Sequence, residues 1–236
     1  MEYPSFLQLF EAYLSAIAML LPALLIGLFK YRNLAGNHKP FIWILLLLFF
    51  TETLQFILRL SHVFNVLSYN IYIILFAILF IYQFFRWKMI GKNLATALVV
   101  ACVVVWSLDH FVINYPRIGE STNLFGSTRF FRLFYALILT LLSMFSIFKL
   151  TTGTETHLFR NHIFYISLAL IIFYTFYVYR WVYLDFSFFS AREREVSEVF
   201  QRLLNKTGSF VINLYYLLFI MATIWMPRKK IFFINF

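Results

Sequence analysis

Charged residues are scarce in this sequence. Of its 236 residues, 13% are charged and 62% are hydrophobic, whereas a soluble domain has about 25% charged and about 45–50% apolar residues. This balance excludes an ordinary soluble domain. Apolar runs that cross a bilayer need about 20 residues, and seven such runs are present. They lie at roughly 6–29, 41–60, 67–85, 94–113, 130–149, 162–184 and 207–226.

The runs are continuous and longer than the alternating segments of about 10 residues that build membrane β-barrels. The connections between them are short. We therefore predict an all-α integral membrane protein, with residues 1–236 forming a single seven-transmembrane-helix bundle.

Cysteine is nearly absent, and proline and glycine rarely interrupt the runs. The one cysteine, Cys102, lies inside the fourth run. It therefore forms no internal disulfide and no cysteine-based zinc site, and we expect a packing role. Pro22 is the only proline inside a run, so the bundle is expected to be stiff, whereas many transporters have broken helices. The leader MEYPS lacks Lys and Arg, which argues against a cleaved signal peptide.

The formal net charge is +10, and the basic residues cluster on alternate flanks of the runs. One set of flanks contains Lys30, Arg32, Lys39, Arg86, Lys88, Lys92, Lys149, Arg160, Arg228, Lys229 and Lys230, with Glu155 as its only acid. Because Lys and Arg are enriched in cytoplasmic loops, we predict an external N-terminus and a cytoplasmic C-terminus. The basic collar indicates anionic lipid headgroups rather than nucleic acid as a partner.

Two further patterns predict an additional helix and an internal repeat. Ser190 followed by Glu193 forms a capping box, which predicts a helix over 191–204 that either lies at the outer interface or extends the seventh span. NIYIILF at 70–76 resembles NLYYLLF at 213–219, which hints at a 3+1+3 internal repeat.

The most informative stretch is TETLQFILRLSH, at 51–62. Glu52, Gln55, Arg59 and His62 fall within an arc of roughly 80° on one helix. Glu52 lies about 16 Å beyond the start of its run, near the bilayer centre. A charge facing lipid at that depth costs roughly 2.5–3.5 kcal/mol or more, so we predict that Glu52 faces the protein interior and contacts another helix, with Arg180 or a tyrosine of span six as the leading partner.

Other polar residues are placed toward the outer ends of the spans. They are Glu11 in span one, Asp109 and His110 in span four, Arg132 in span five, and Tyr177 and Arg180 in span six. With the stripe on span two, these residues predict an outward-facing polar pocket for ligand binding or proton coupling. Structural ion pairs and snorkelling explain Asp109, Arg132 or Arg180 individually as well. No helix carries close metal-ligand spacing, and no metal or cofactor is expected.

Seven spans with an external N-terminus resemble, in topology alone, the microbial rhodopsins and other seven-helix receptors. A retinal-binding lysine would lie midway along span seven, whereas Lys206 lies at its outer start, so a retinal protein is excluded. The 3+1+3 order is similar to that of SWEET-type sugar transporters, but span five lacks the proline that their kinked helices share.

Three functions fit these patterns. The preferred hypothesis is a receptor-like or sensor-like subunit of a bacterial cytoplasmic membrane, which acts through a separate protein partner at its inner face. The second is a small secondary transporter coupled through Glu52. The third is a membrane enzyme acting on outer-leaflet lipid, with His62, His110 and Asp109 as acid–base residues. An enzyme is the less favoured class.

Overall fold

The computed structural model describes residues 6–60, 66–113, 129–152, 158–187 and 194–227, and these residues are almost entirely helical. The described chain forms seven α-helices. They are α1 (Phe6–Lys30), α2 (Lys39–Leu60), α3 (Val66–Arg86), α4 (Lys92–Ser107), α5 (Arg129–Thr152), α6 (His162–Ser187) and α7 (Arg194–Trp225).

Each apolar run of the sequence corresponds to one of these helices. Five helices are long and apolar enough to cross a membrane, counted over the described residues, and α3 contributes a shorter apolar stretch over Asn70–Arg86. The prediction of an all-helical membrane protein is confirmed at this level. The number of spans, their orientation and the internal repeat stay predictions.

The helices form a ring in which neighbours in sequence are neighbours in space. Each helix packs against the next, α7 packs against α1, and the most extensive contacts join α5 to α6 and α6 to α7. Because α3 also contacts α5 directly, α4 lies outside the line that joins its neighbours. Its valines Val100, Val103 and Val104 are accordingly exposed, while Cys102 on its inner face is fully buried.

Aromatic rings fill the centre of the ring. The largest fully buried side chains include Phe41 of α2, Phe80 of α3, Tyr174 of α6 and Phe219 of α7. Phe41 and Phe219 meet edge to face at 5.2 Å, so α2 and α7 touch across the ring. In lipid such contacts stabilise through van der Waals packing, because the surroundings are as apolar as the core.

One end of the bundle is held by lysines. We call it the basic end; it contains the turns 31–38 and 87–91 and the C-terminal ends of α1, α3, α5 and α7. Lys30 donates to the carbonyls of Thr223 (3.0 Å) and Ile224 (2.6 Å) at the end of α7, and Lys149 donates to the carbonyl of Lys88 (2.8 Å). A cation at a helix C-terminus satisfies unpaired carbonyls and the helix dipole.

The final helix settles one alternative left open by the sequence. α7 runs without a break from Arg194 to Trp225, so the polar segment extends the seventh span rather than forming a separate interfacial helix. Helix over 194–204 is thereby confirmed. Ser190, the expected cap, and residues 191–193 lie outside the described residues.

Candidate functional site

Glu52 lies on the central part of α2 and is half-buried. It interacts electrostatically with Tyr216 of α7, whose side chain is buried. The two residues lie on helices that are far apart in the sequence, and the ring pair Phe41–Phe219 links the same two helices nearer the start of α2. Glu52 is thus partly buried and within electrostatic range of α7, while its predicted contact with Arg180 or a tyrosine of span six stays a prediction. Tyr216 was missed, because a pair of tyrosines in an aromatic-rich span gives no signal of its own.

Tyr216 belongs to a buried group of tyrosines that we call the tyrosine cluster: Tyr135 of α5, Tyr174 of α6, and Tyr215 and Tyr216 of α7. Tyr174 hydrogen-bonds with Tyr135 and interacts electrostatically with Tyr215. The rings of Tyr215 and Tyr216 lie 5.4 Å apart. Buried hydroxyls require partners, and Tyr174 and Tyr135 supply one to each other. The cluster thus extends the polar centre from Glu52 on α2 to α5 and α6.

Gln55 lies one turn beyond Glu52 on α2. Its side-chain Nε2 is buried and makes no hydrogen bond within the structure. A buried donor without an acceptor costs about 1–3 kcal/mol, so this nitrogen is a favourable position for an acceptor atom of a ligand. On the adjacent face of α2, the ring of Phe56 stacks on Tyr13 of α1 at 4.4 Å, and the Tyr13 hydroxyl lies 3.3 Å from Thr53 Oγ1.

The structure says less about three other predicted residues. Arg59 lies on α2 and Glu11 on α1, as expected, but the positions of their side chains are not described. His62 lies outside the described residues. The outer part of the predicted pocket therefore stays a prediction.

Asp109 and His110 lie in a π-helical segment, Leu108–Ile113, that follows α4. Asp109 is almost fully buried, and its Oδ2 accepts the backbone N–H of Phe131 at 2.9 Å. It therefore caps the first turn of α5, where a negative charge also complements the helix dipole. His110 stacks on Trp106 at 5.2 Å, and its Nδ1 is buried without a hydrogen bond.

Tyr177 and Arg180 lie on α6, near its contact with α7. Tyr177 stacks on Phe173 at 5.9 Å, and Phe173 in turn contacts Tyr215 of the tyrosine cluster at 4.6 Å. Arg180 lies over Gly208, where an added Cβ would be 3.5 Å from Nη1. Tyr177 is thus linked to the tyrosine cluster through the ring of Phe173. Arg180 lies against α7.

A second buried polar group, which the sequence did not predict, lies at the basic end. His38 Nδ1 is 2.9 Å from His162 Nε2 and accepts the indole N–H of Trp87 at 3.1 Å. Burial lowers the pKa of His38 to about 4. The usable signal was positional: His38 directly precedes the start of α2, and His162 begins α6, both on the flanks with positive charge.

Within the described part of the chain, no group of three or more His, Cys, Asp or Glu side chains is close enough to hold a metal ion. Comparison with known proteins gives no further guide: no family model, curated protein or solved structure matches the chain. Functional inference therefore rests on the two polar groups described above.

Proposed function

We propose that this chain is a receptor-like or sensor-like membrane subunit. In this proposal all seven helices span a bacterial cytoplasmic membrane, the N-terminus is external, and the basic end faces the cytoplasm. An outward-facing polar pocket around Glu52 and Gln55 responds to a ligand or a proton. A separate protein partner at the basic end receives the signal, and anionic lipids surround that end.

The observation that carries the proposal is the interaction of Glu52 with Tyr216. Ionisable residues within membrane spans are costly and are usually functional. A change in charge or occupancy at Glu52 alters its interaction with Tyr216 on α7. The end of the same helix is held by Lys30 through the carbonyls of Thr223 and Ile224. The packed helix α7 therefore connects the Glu52 site with the basic end, and in this proposal it carries the coupling between them.

A transporter coupled through Glu52 is the second candidate. The buried and unpaired Nε2 of Gln55 beside Glu52 favours it, since a donor and a carboxylate side by side also suit a transported solute. The lipid-enzyme hypothesis has less support, because Asp109 is buried and its Oδ2 caps α5. A general base needs to reach the proton that it removes.

A flux measurement separates the two leading functions. Purified protein is reconstituted into vesicles that contain a pH-sensitive dye, and a pH gradient is imposed across the membrane. For a sensor we expect proton entry no faster than in protein-free vesicles. Entry that depends on the protein and disappears in Glu52→Gln would replace the sensor by a proton-coupled transporter. Thr140→Val is the control, because the Thr140 hydroxyl bonds only within its own helix, to the Ala136 carbonyl.

The partner is tested in the native membrane. Tagged wild-type, Glu52→Gln and Thr140→Val chains are crosslinked in cells and purified. We expect one membrane or cytoplasmic protein to be recovered equally with wild type and Thr140→Val, and in a clearly different amount with Glu52→Gln. Recovery of no specific protein, or equal recovery with all three chains, would contradict the proposal.

A further inference from the structure

Three buried aromatic side chains join three segments at the basic end. His38 lies in the turn before α2, Trp87 follows the end of α3, and His162 is the first residue of α6. Their exposed fractions are only 5%, 6% and 7%. The rings of His38 and His162 are perpendicular, with centroids 4.3 Å apart. We call these residues the histidine latch.

The hydrogen bonds fix where the protons lie. An indole N–H only donates, so His38 Nδ1 accepts from Trp87 and carries no proton. His162 Nε2, which is 2.9 Å from the same atom, must then be the donor. With both imidazoles neutral, their protons then lie on Nε2, and a single nitrogen of His38 receives two hydrogen bonds. A proton placed on that nitrogen removes the acceptor of both.

The backbone around the latch is fixed independently on one side. Gln83 is fully buried, and its Nε2 donates to the carbonyl of Asn37 at 2.8 Å. Trp87 is positioned by the turn that ends α3, in which Met89 N–H donates to the Phe84 carbonyl and Lys88 has a φ of 60°. The turn 31–38 thus rests on α3, while the His38–His162 bond is the side-chain link that ties it to α6.

The charged groups around the latch are cations. On α2, Lys39 lies next to His38, with its ammonium over the Tyr31 ring at 4.7 Å. On α3, Arg86 bonds the Tyr82 hydroxyl. The remaining described basic groups are Lys30 at the end of α1, Arg32 after it, Lys88 in the turn after α3, Lys92 at the start of α4, Lys149 on α5 and Arg160 before α6. No described residue of the basic end is acidic, and Glu155 lies outside the described residues. No described carboxylate stabilises a charged imidazole here.

We propose that the histidine latch is a proton-operated lock on the basic end. With both imidazoles neutral, it holds the turn 31–38 and the start of α2 against α3 and α6. Uptake of a proton from water by His38 Nδ1 removes the acceptor of both bonds, and the turn is released from α6 as long as His162 keeps its proton on Nε2. The lock does not depend on the proposed function, because it rests on different residues at the other end of α2.

The direction and range of the response follow from the pKa of His38. Burial lowers it from 6.5 to about 4, so the closed form excludes a proton that the open form accepts. Closure is therefore fully favoured above pH 6.5, and it weakens as the pH falls from 6.5 toward 4. Between pH 7.5 and 5.5 the ratio of open to closed forms should rise about tenfold.

Hydrogen exchange in the full-length protein in lipid nanodiscs tests the lock. Mass spectrometry follows the peptide over 31–42, which includes the amide of His38, bonded to Ala35, and that of Phe41, bonded to His38. Wild type is compared with His38→Gln at each pH, so that the intrinsic pH dependence of exchange cancels. Glutamine supplies an acceptor oxygen but does not titrate. We expect wild-type protection to fall about tenfold relative to the variant between pH 7.5 and 5.5. Equal pH profiles would overturn the proposal.

Trp87→Phe provides a second test that does not need the His38 variant to fold. Removal of the indole donor weakens the neutral, closed form while His38 still titrates. Its protection should be lower than that of wild type at neutral pH, with the decrease shifted to higher pH. A profile that coincides with wild type would also overturn the proposal. The peptide over 92–101 of α4, which lies outside the latch, should behave alike in all three proteins.

Discussion

At the scale of single residues, the structure at the centre of the bundle depends on which buried polar side chains interact with one another. Glu52 interacts with Tyr216, and the tyrosine cluster continues that polarity across to α5 and α6 through Tyr174 and Tyr135. In a medium without water, each hydroxyl needs a protein partner or a ligand. The buried Nε2 of Gln55, one turn from Glu52, lacks one among the described residues, which marks the side of Glu52 where a ligand would gain a hydrogen bond.

The sequence predicts part of this site. A carboxylate 11 residues after Phe41 must avoid lipid, so the inward orientation of Glu52 follows from the cost of burying charge. The partner of Glu52 cannot be predicted in the same way. Tyr216 is one of 15 tyrosines, and the spacing of residues along the chain does not show which residues of different helices meet. The same reason hides the His38–His162 bond, which joins residues 124 apart in sequence.

The contact between Glu52 and Tyr216 can be measured by a double-mutant cycle. Glu52→Gln, Tyr216→Phe and the double variant are compared by reversible unfolding in detergent. Residues that interact directly couple by about 0.5–3 kcal/mol, so if the electrostatic interaction is direct, the double variant loses less stability than the two single variants together. Glu52→Gln combined with Thr140→Val serves as the control pair and should be additive. Additivity in both pairs would show that Glu52 and Tyr216 do not interact.

At the scale of elements, the helices follow the apolar runs because a bilayer-length apolar stretch satisfies all its backbone groups only as a helix. The runs 41–60 and 67–85 lie within α2 and α3, each of which extends no more than two residues further at either end. The run 94–113 differs, since α4 ends at Ser107 and continues as a π-helical segment. The apolar character of the run does not predict this change from α-helical to π-helical hydrogen bonding. Asp109 lies in the π-helical segment and contacts the first turn of α5.

Close packing of α1 on α2 depends on a glycine. A Cβ at Gly27 would lie 2.6 Å from Cδ1 of Ile42. Alanine there only needs the flexible end of Ile42 to move, and it gains about 1 kcal/mol of helix propensity, so Gly27→Ala should be nearly neutral. Gly27→Leu should force the helices apart and lower the unfolding free energy by about 1–3 kcal/mol or more.

Gly91 supplies the matched control for this experiment. It precedes α4, and no atom lies within 4 Å of a Cβ added there. Because Gly91 is the N-cap of α4, where leucine is less favourable than glycine, Gly91→Leu should lower the stability in detergent by no more than about 1 kcal/mol. If Gly27→Leu were as stable as Gly91→Leu, the close approach of α1 and α2 at Gly27 would be refuted.

At the scale of the whole molecule, the ring has two ends of different character. Lys30 and Lys149 cap helix ends at the basic end, while Asp109 caps α5 at the other. The same lysines thus satisfy carbonyls and supply the charge asymmetry that orients membrane proteins. The positions of the helices and the charge asymmetry between the two ends can be predicted from sequence. They depend on charge and on the length of the apolar runs, and not on which residues of different helices touch.

Orientation is the first prediction at this scale. We expect the N-terminus outside and the C-terminus in the cytoplasm, because the cationic flanks stay on the cytoplasmic side. Reporters that are active only in the cytoplasm or only in the periplasm are fused after Phe236 in a bacterial host. The cytoplasmic reporter should be active and the periplasmic one inactive. The reverse pattern would contradict the orientation and with it the cytoplasmic position of the basic end.

The central claim is that Glu52 serves a ligand or a proton rather than the fold. Its most direct test is the thermal unfolding midpoint of purified wild-type, Glu52→Gln and Glu52→Leu proteins in one detergent. Replacing a half-buried carboxyl by an apolar group of similar size removes a desolvation cost together with its contacts. We therefore predict that both variants unfold within about 4 °C of wild type, which corresponds to about 1 kcal/mol for a chain of this size. A fall of about 8 °C or more in Glu52→Leu, with Glu52→Gln at the wild-type value, would show that Glu52 holds the bundle together and would contradict the claim.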